Sequence, residues 1–125
     1  PVPTNTMALA LTEKHFDNLK AHDVDALMND YADNAVILTN LCNRPLEGKE
    51  DIRYYCEGLI HKAKAEIDAF TDPAAKITVK EAVEELSCIA FQHRGQKQAG
   101  VLTQRIRDGK IIFESLTFQT ITNVI

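Results

Sequence analysis

The hydrophobic period of this chain changes once, at Asp72-Pro73. Before that point apolar residues recur at steps of about 3.6 residues, and after it they alternate at about 2. A chain patterned this way has a helical half and a sheet half. Each can bury its apolar face by packing on the other, which is an α+β architecture. Ala8, Leu11, His15 and Leu19 mark one face of a first helix expected over 6–21. Asp23 is a good N-cap for a short second helix carrying Leu27, Met28 and Tyr31. A short strand is expected at 35–39, then an irregular passage over 40–48 containing Pro45. Gly48 opens a third helix, with Glu50 and Asp51 at the positive end of its dipole. Ile52, Tyr55, Cys56, Leu59, Ile60 and Ala63 form its apolar stripe.

Beyond the period change, strands are expected at 76–84, 86–94, 97–107 and 110–121. Arg94-Gly95-Gln96 and Asp108-Gly109 separate the last three, and Asp-Gly is a strong hairpin signal. The last strand puts Ile112, Glu114, Leu116 and Phe118 on one face, and Ile111, Phe113, Ser115, Thr117, Gln119 and Ile121 on the other. Both faces carry apolar residues, so the sheet is expected to be covered on both sides. The three helices cover one side. A second copy of the chain, packed on the outer face, is the expected cover for the other.

At 125 residues, with 45% hydrophobic and 26% charged side chains, the chain is sized and composed as one globular domain spanning 1–125. A net charge of -4 without a basic block argues against nucleic acid and against an anionic membrane surface. No apolar run approaches the ~20 residues of a membrane span. The first six residues have neither a basic start nor an apolar core, so no secretion signal is expected there, and Met7 is a candidate start. Cys42, Cys56 and Cys88 are odd in number and form no C-x-x-C pair, as expected of reduced thiols in the cytoplasm. His15, His22, His61 and His93 show no metal-binding spacing, and neither a Gly-rich phosphate loop nor G-x-S-x-G is present. No metal and no cofactor are expected.

Three stretches carry a resemblance. His22-Asp23-Val24-Asp25-Ala26-Leu27, followed by Tyr31-Ala32-Asp33-Asn34-Ala35-Val36, is similar to a "G-D-x-x-A-L…Y-A-D-D-A-x" stretch. Pro45 to Ile52 is similar to "P-x-x-G-x-x-x-I", and Arg107-Asp108-Gly109-Lys110-Ile111 to an "x-D-G-K-I" hairpin. Together they resemble the NTF2-like superfamily, which includes ketosteroid isomerases and SnoaL-like cyclases. The resemblance implies a cone: three N-terminal helices packed on a long, curved, mainly antiparallel sheet. It does not imply one activity, because function on a shared fold resides in the site. Aligned with the isomerases, the general-base aspartate falls at Thr39, which cannot titrate in the carboxylate range. The oxyanion-binding aspartate falls at Thr103, the oxyanion-binding tyrosine at His15 and an assisting tyrosine at Cys56. Only Tyr31 keeps its supporting tyrosine. Steroid isomerisation is therefore not expected. The cyclases use a histidine and an aspartate on the sheet. Here the sheet carries His93 and Glu114, which leaves that reading open.

The same alignment aims Ile89, Phe91, His93, Val101, Thr103, Arg105, Ile112, Glu114, Leu116 and Phe118 into the cone, with His15, Leu19, Tyr31, Tyr55, Cys56 and Leu59 added from the helices. An apolar lining with a polar minority suits a small, mainly apolar ligand. Glu114 and His15 are the candidate catalytic groups. Glu114 sits between Ile112 and Leu116, where burying a carboxylate costs several kcal/mol unless it is paired. It is either an acid–base group for isomerisation, cyclisation or hydrolysis, or the partner of a structural ion pair with Arg105 or a neighbouring strand. His15 is either a proton donor to a ligand or a core histidine satisfied by Tyr31 or a carbonyl. Thr39 and Thr103 are either ligand contacts or ordinary strand residues, and His93 and Arg105 either mouth residues or a solvated rim. The opposing class is a non-catalytic dimerisation or interaction module with a filled cone.

Overall fold

Two reversals of the chain set the geometry of the cone. The computed structural model describes residues 4–63, 67, 76–83, 85–93 and 97–120. Helix α1 (Thr4–Lys20) ends where His22 takes a left-handed φ of 57°. The Asp23 amide then reaches Asn18 O at 3.1 Å and the His22 amide reaches Leu19 O at 3.1 Å, a Schellman closure. Asp23 starts α2 (Val24–Asn29) at once, its carboxylate accepting from the Ala26 amide at 3.0 Å. The chain turns out of α2 at Asp30 and begins β1 (Tyr31–Thr39) directly. Tyr31 therefore opens a strand and does not close a helix. Its spacing from Leu27 suits either element, and pairing of Tyr31 with Ile111 decides it.

A short strand β2 (Leu46–Glu47), inside the passage expected to be irregular, pairs with Val36 and Ile37 and leads into α3 (Gly48–His61). Gly48 has φ +83°, a left-handed conformation that favours glycine. Ile52, Tyr55, Cys56 and Leu59 are buried along the expected stripe of α3. Then come β3 (Lys76–Val83), β4 (Leu86–His93), β5 (Gln98–Arg107) and β6 (Lys110–Thr120). They lie within a residue or two of the bounds read from alternation. The Asp72-Pro73 break, the Arg94-Gly95-Gln96 turn and Ile121 lie outside the described residues.

The strands form one six-stranded sheet in the order β2-β1-β6-β5-β4-β3. All pairs are antiparallel except β1 with β6, and the helices pack against one face. The β5–β6 hairpin turns on Asp108 and Gly109 at φ 52° and 73°, the two positive values a type I′ turn needs.

Two details of register overturn expected orientations. His93 pairs with Gln98, so every odd-numbered residue of β4 meets an even-numbered residue of β5. Ser87, Ile89, Phe91 and His93 face inward, and so do Gly100, Leu102, Gln104 and Ile106. Val101 and Arg105 are exposed on the outer face and Thr103 is half-buried, the reverse of the expected order. On β6, Arg105 pairs with Phe113 but Ile106 pairs with Ile111, so the strand bulges at Ile112. Ile111 and Glu114 are both buried as a result, and Ile112 is only half-buried. Gly100 has a packing role: a Cβ there would overlap the Phe91 ring, which lies across it and meets Phe118 edge-on at 5.7 Å.

Candidate functional site

Glu114 is 2% exposed, and its partners come from three elements other than its own strand. Tyr31, at the start of β1, donates its hydroxyl to Oε1 at 2.8 Å. Gln104, opposite it on β5, donates Nε2 to the same oxygen at 2.7 Å. Tyr55, on α3, reaches the other oxygen, Oε2, at a longer 3.4 Å. A hydrogen bond to a charged group contributes roughly 1.5–3 kcal/mol, so donors of this kind offset a desolvation cost of several kcal/mol. Oε1 is doubly bonded by short donors. Oε2 has one long donor, and Glu114 is one of the residues lining the small cavity of the cone.

The donors are themselves oriented. Gln104 Oε1 accepts from Thr12 Oγ1 at 2.7 Å, and Thr12 lies 2.5 Å from Ser87 Oγ. An amide oxygen only accepts, so Thr12 donates to Gln104 and Ser87 donates to Thr12. That chain fixes the amide with its NH₂ toward Glu114. Burial, then the charge on Glu114, pushes both phenols, Tyr31 and Tyr55, well above the usual tyrosine range, so both remain donors.

His15 lies beside this carboxylate. Its Nε2 is 3.2 Å from Tyr31 Oη and 3.9 Å from Glu114 Oε1, and its ring meets Tyr31 edge-on. Its Nδ1 is 2.8 Å from Oδ2 of Asp30, which is 1% exposed. Asn18 donates to Asp30 Oδ2 at 3.0 Å and Lys14 to Oδ1 at 3.3 Å. Burial opposes ionisation of Asp30, but His15, Asn18 and Lys14 outweigh it and hold the carboxyl below its usual range.

The cavity at Glu114 is narrow, about 20 Å³, with His15, Leu19, Tyr55, Leu59, Leu116 and Phe118 in its wall. That is room for about one water, far smaller than the ligand pocket expected from the sequence. A second cavity of about 390 Å³ opens on the surface between the β1–β2 connection and α3. Leu41, Cys42, Leu46 and Tyr54 line it, with Arg44, Asp51 and Lys62 as its charged members. Arg44 is bound bidentately by Asp51 at 2.8 and 3.0 Å, which holds that carboxyl far below its usual range. Tyr55 and Leu59 line both cavities.

Of the residues singled out from the sequence, the structure brings together His15, Tyr31, Tyr55, Glu114 and Phe118. Phe91 is buried behind Phe118, and His93 is buried at the end of β4. Cys56 is buried, and burial, reinforced by Glu114, pushes its thiol up to about 12, which makes it a core residue rather than a nucleophile. Thr39 is spent on a turn, accepting from the Leu41 amide at 3.2 Å. Thr103 contacts Cys88 at 3.7 Å on the outer face. Arg105 points away from the cone and cannot pair with Glu114. Asp30, Gln104, Thr12 and Ser87 were not anticipated. Thr12 follows Ala8 by four residues and precedes His15 by three, so helical spacing places it on that face. Among the described residues no cluster of His, Cys, Asp or Glu is placed to hold a metal, and no helix is long and apolar enough to cross a membrane.

The SnoaL-like domain family matches residues 12–114. No curated protein matches the sequence. Solved structures resemble the chain closely in shape. A SnoaL-like protein of unknown function from Burkholderia thailandensis superposes with a TM-score of 0.71 at 16% identity, covering 94% of this chain and 99% of the other. A ketosteroid isomerase-like protein of Kribbella flavida gives 0.67 at 13% identity, with coverages of 98% and 85%. An LEH-like epoxide hydrolase of M. tuberculosis gives 0.65 at 13% identity, with coverages of 95% and 83%. At these identities the likeness speaks for the fold alone.

Proposed function

Because the chain belongs to the SnoaL-like domain family, whose fold hosts unrelated activities, we propose its function from the site: it binds a small, mainly apolar molecule and performs cofactor-free proton transfer on it with Glu114. One observation supports this most. A buried carboxylate that lines an apolar cavity is held through Oε1 by two short donors, while Oε2 has one long donor. Oε2 is the less satisfied of the two oxygens and so the one freer to accept a ligand's proton. The 390 Å³ cleft is large enough for the body of a ligand. Tyr55 and Leu59 are the side chains that must shift for its reacting end to meet Oε2, and Tyr55 gives up only a 3.4 Å bond to do so. Oε2 accepts protons, so the matching ligand end is a hydroxyl or an acidic C–H.

NMR titration with small cyclic alcohols tests the binding half. The expected result is perturbation of Tyr55, Leu59 and Glu114 together, lost when a hydrocarbon of the same shape replaces the alcohol. A cone untouched by every alcohol at millimolar concentration would defeat the reading. The narrowness of the inner cavity favours a second reading, a non-catalytic module whose cone is simply filled. That module would show no ligand response and would keep its partners after Glu114→Gln.

The same proposal includes a homodimer through the outer face of the sheet. Val101 and Leu86 are 46% and 41% exposed there, beside half-buried Cys88, Ala90 and Ala99. Its three unpaired thiols suit a reducing compartment, and we place the protein in the cytoplasm. Sedimentation as a monomer at micromolar concentration would reject the dimer.

A further inference from the structure

Asp30, His15, Tyr31 and Glu114 form one unbroken line of contacts at 2.8, 3.2 and 2.8 Å, all buried. We propose that Asp30 and Tyr31 are positioning residues that hold His15 as a doubly protonated imidazolium at neutral pH, so that the cone contains a proton donor, His15, beside its proton acceptor, Glu114. This rests on reading the cone as a proton-transfer site, and it adds residues and a protonation state which that reading does not require.

The inference comes from counting hydrogens. Asp30 accepts from Asn18 and Lys14 and is an ionised, acceptor-only group, so the contact at 2.8 Å requires a hydrogen on His15 Nδ1. Tyr31 has one hydroxyl hydrogen and faces two buried acceptors, Glu114 Oε1 at 2.8 Å and His15 Nε2 at 3.2 Å. The shorter bond takes it. A bare Nε2 would then point its lone pair at the hydroxyl lone pairs 3.2 Å away with no hydrogen between them, a repulsive contact that burial makes costly. A hydrogen on Nε2 removes the conflict, because His15 then donates to Tyr31 and Tyr31 donates to Glu114.

The charged and titratable groups facing this line come from every element around it. Lys14 is on α1, Asp30 and Tyr31 are at the α2–β1 junction, Tyr55 and Cys56 are on α3, and Glu114 is on β6. The buried set is then two carboxylates around one imidazolium. If a ligand gives one proton to Glu114 Oε2 and takes one from His15 Nε2, a ligand C–H or O–H bond breaks as Oε2–H forms, and Nε2–H breaks as a new bond to hydrogen forms on the ligand. No electrons are transferred, and the net charge of the set is unchanged.

The test is ligand-free. Nitrogen-15 NMR of the histidine rings at pH 7, with His15 assigned through its backbone, reads the protonation of both nitrogens directly. The expected result is a hydrogen on both in the native protein, and loss of the second in Asp30→Asn, whose amide keeps the shape but removes the charge. Asp30→Glu should restore it. A singly protonated ring in the native protein would overturn the proposal even if neither variant folds. A doubly protonated ring persisting in folded Asp30→Asn would remove Asp30 from the role. Neither result bears on whether alcohols enter the cone, so this inference and the ligand reading fail separately.

Discussion

Two tyrosines donate to the same carboxylate at different distances, which sets up an internally controlled experiment. Tyr31→Phe and Tyr55→Phe each delete one hydroxyl and keep the ring, and both rings are buried. Tyr31 loses a 2.8 Å bond to Glu114 Oε1 and a 3.2 Å contact with His15. Tyr55 loses a 3.4 Å bond, at the far edge of useful geometry. A well-formed hydrogen bond to a charged acceptor contributes roughly 1.5–3 kcal/mol, and part of a buried partner's desolvation is added when it is lost. Tyr31→Phe is therefore expected to cost about 2–3 kcal/mol, and Tyr55→Phe about 1 kcal/mol or less. Urea unfolding at pH 7 reads both, provided the m-value is unchanged. Double-mutant cycles with Glu114→Leu, which removes both acceptor oxygens, isolate the pair terms, which should be large for Tyr31 and near zero for Tyr55. Equal losses, or a larger loss at Tyr55, would refute the asymmetry between the two carboxylate oxygens from which the site is argued.

Other expectations follow from the same packing. Gly100→Ala drives a methyl into the Phe91 ring and should cost about 1–3 kcal/mol by overpacking, measured as a lowered unfolding midpoint. The Asp30 carboxyl is held below its usual range, so its contribution is present above the ordinary carboxylate pKa and is lost as pH falls through the folded value. The stability gap between the native protein and Asp30→Asn should be full near pH 6 and shrink below about pH 4; a gap constant down to pH 2 would contradict it. With its thiol pushed up to about 12, Cys56 should be the slow reactor with a disulfide reagent at pH 8, after Cys42 and Cys88. For the proposed outer-face dimer, Val101→Lys should leave a monomer in sedimentation without lowering the monomer's unfolding midpoint.

The fold was legible because its signals are local and repeated. The alternation after residue 76, the Asp108-Gly109 turn and the Ile52–Leu59 stripe each depend on neighbours in sequence. The site was only partly legible, because its orientation depends on single-residue events. One residue of register in the β4–β5 hairpin exchanges Thr103 for Gln104 as the polar group beside Glu114. The bulge at Ile112 changes which residues join Glu114 on the inner face, bringing in Ile111. Neither event leaves a mark in hydrophobic period, since both faces of the sheet are apolar. Asp30 was hidden for another reason: its tie to His15 joins two elements across a turn, and an acid at the end of a helix reads as ordinary punctuation. Glu114 stood out from sequence because a charge between apolar neighbours is conspicuous, and its actual partners are two phenols and an amide, not the arginine offered as one alternative.

Deuterium exchange from heavy water into the acidic C–H positions of a panel of small cyclic ketones tests whether the cone transfers protons, with no particular ligand assumed. The site described here predicts exchange into at least one ketone above the buffer rate, reduced at least tenfold in Glu114→Gln while the variant remains folded. Exchange at the buffer rate across the panel, or exchange unaffected by that substitution, would contradict a role for Glu114 in moving protons.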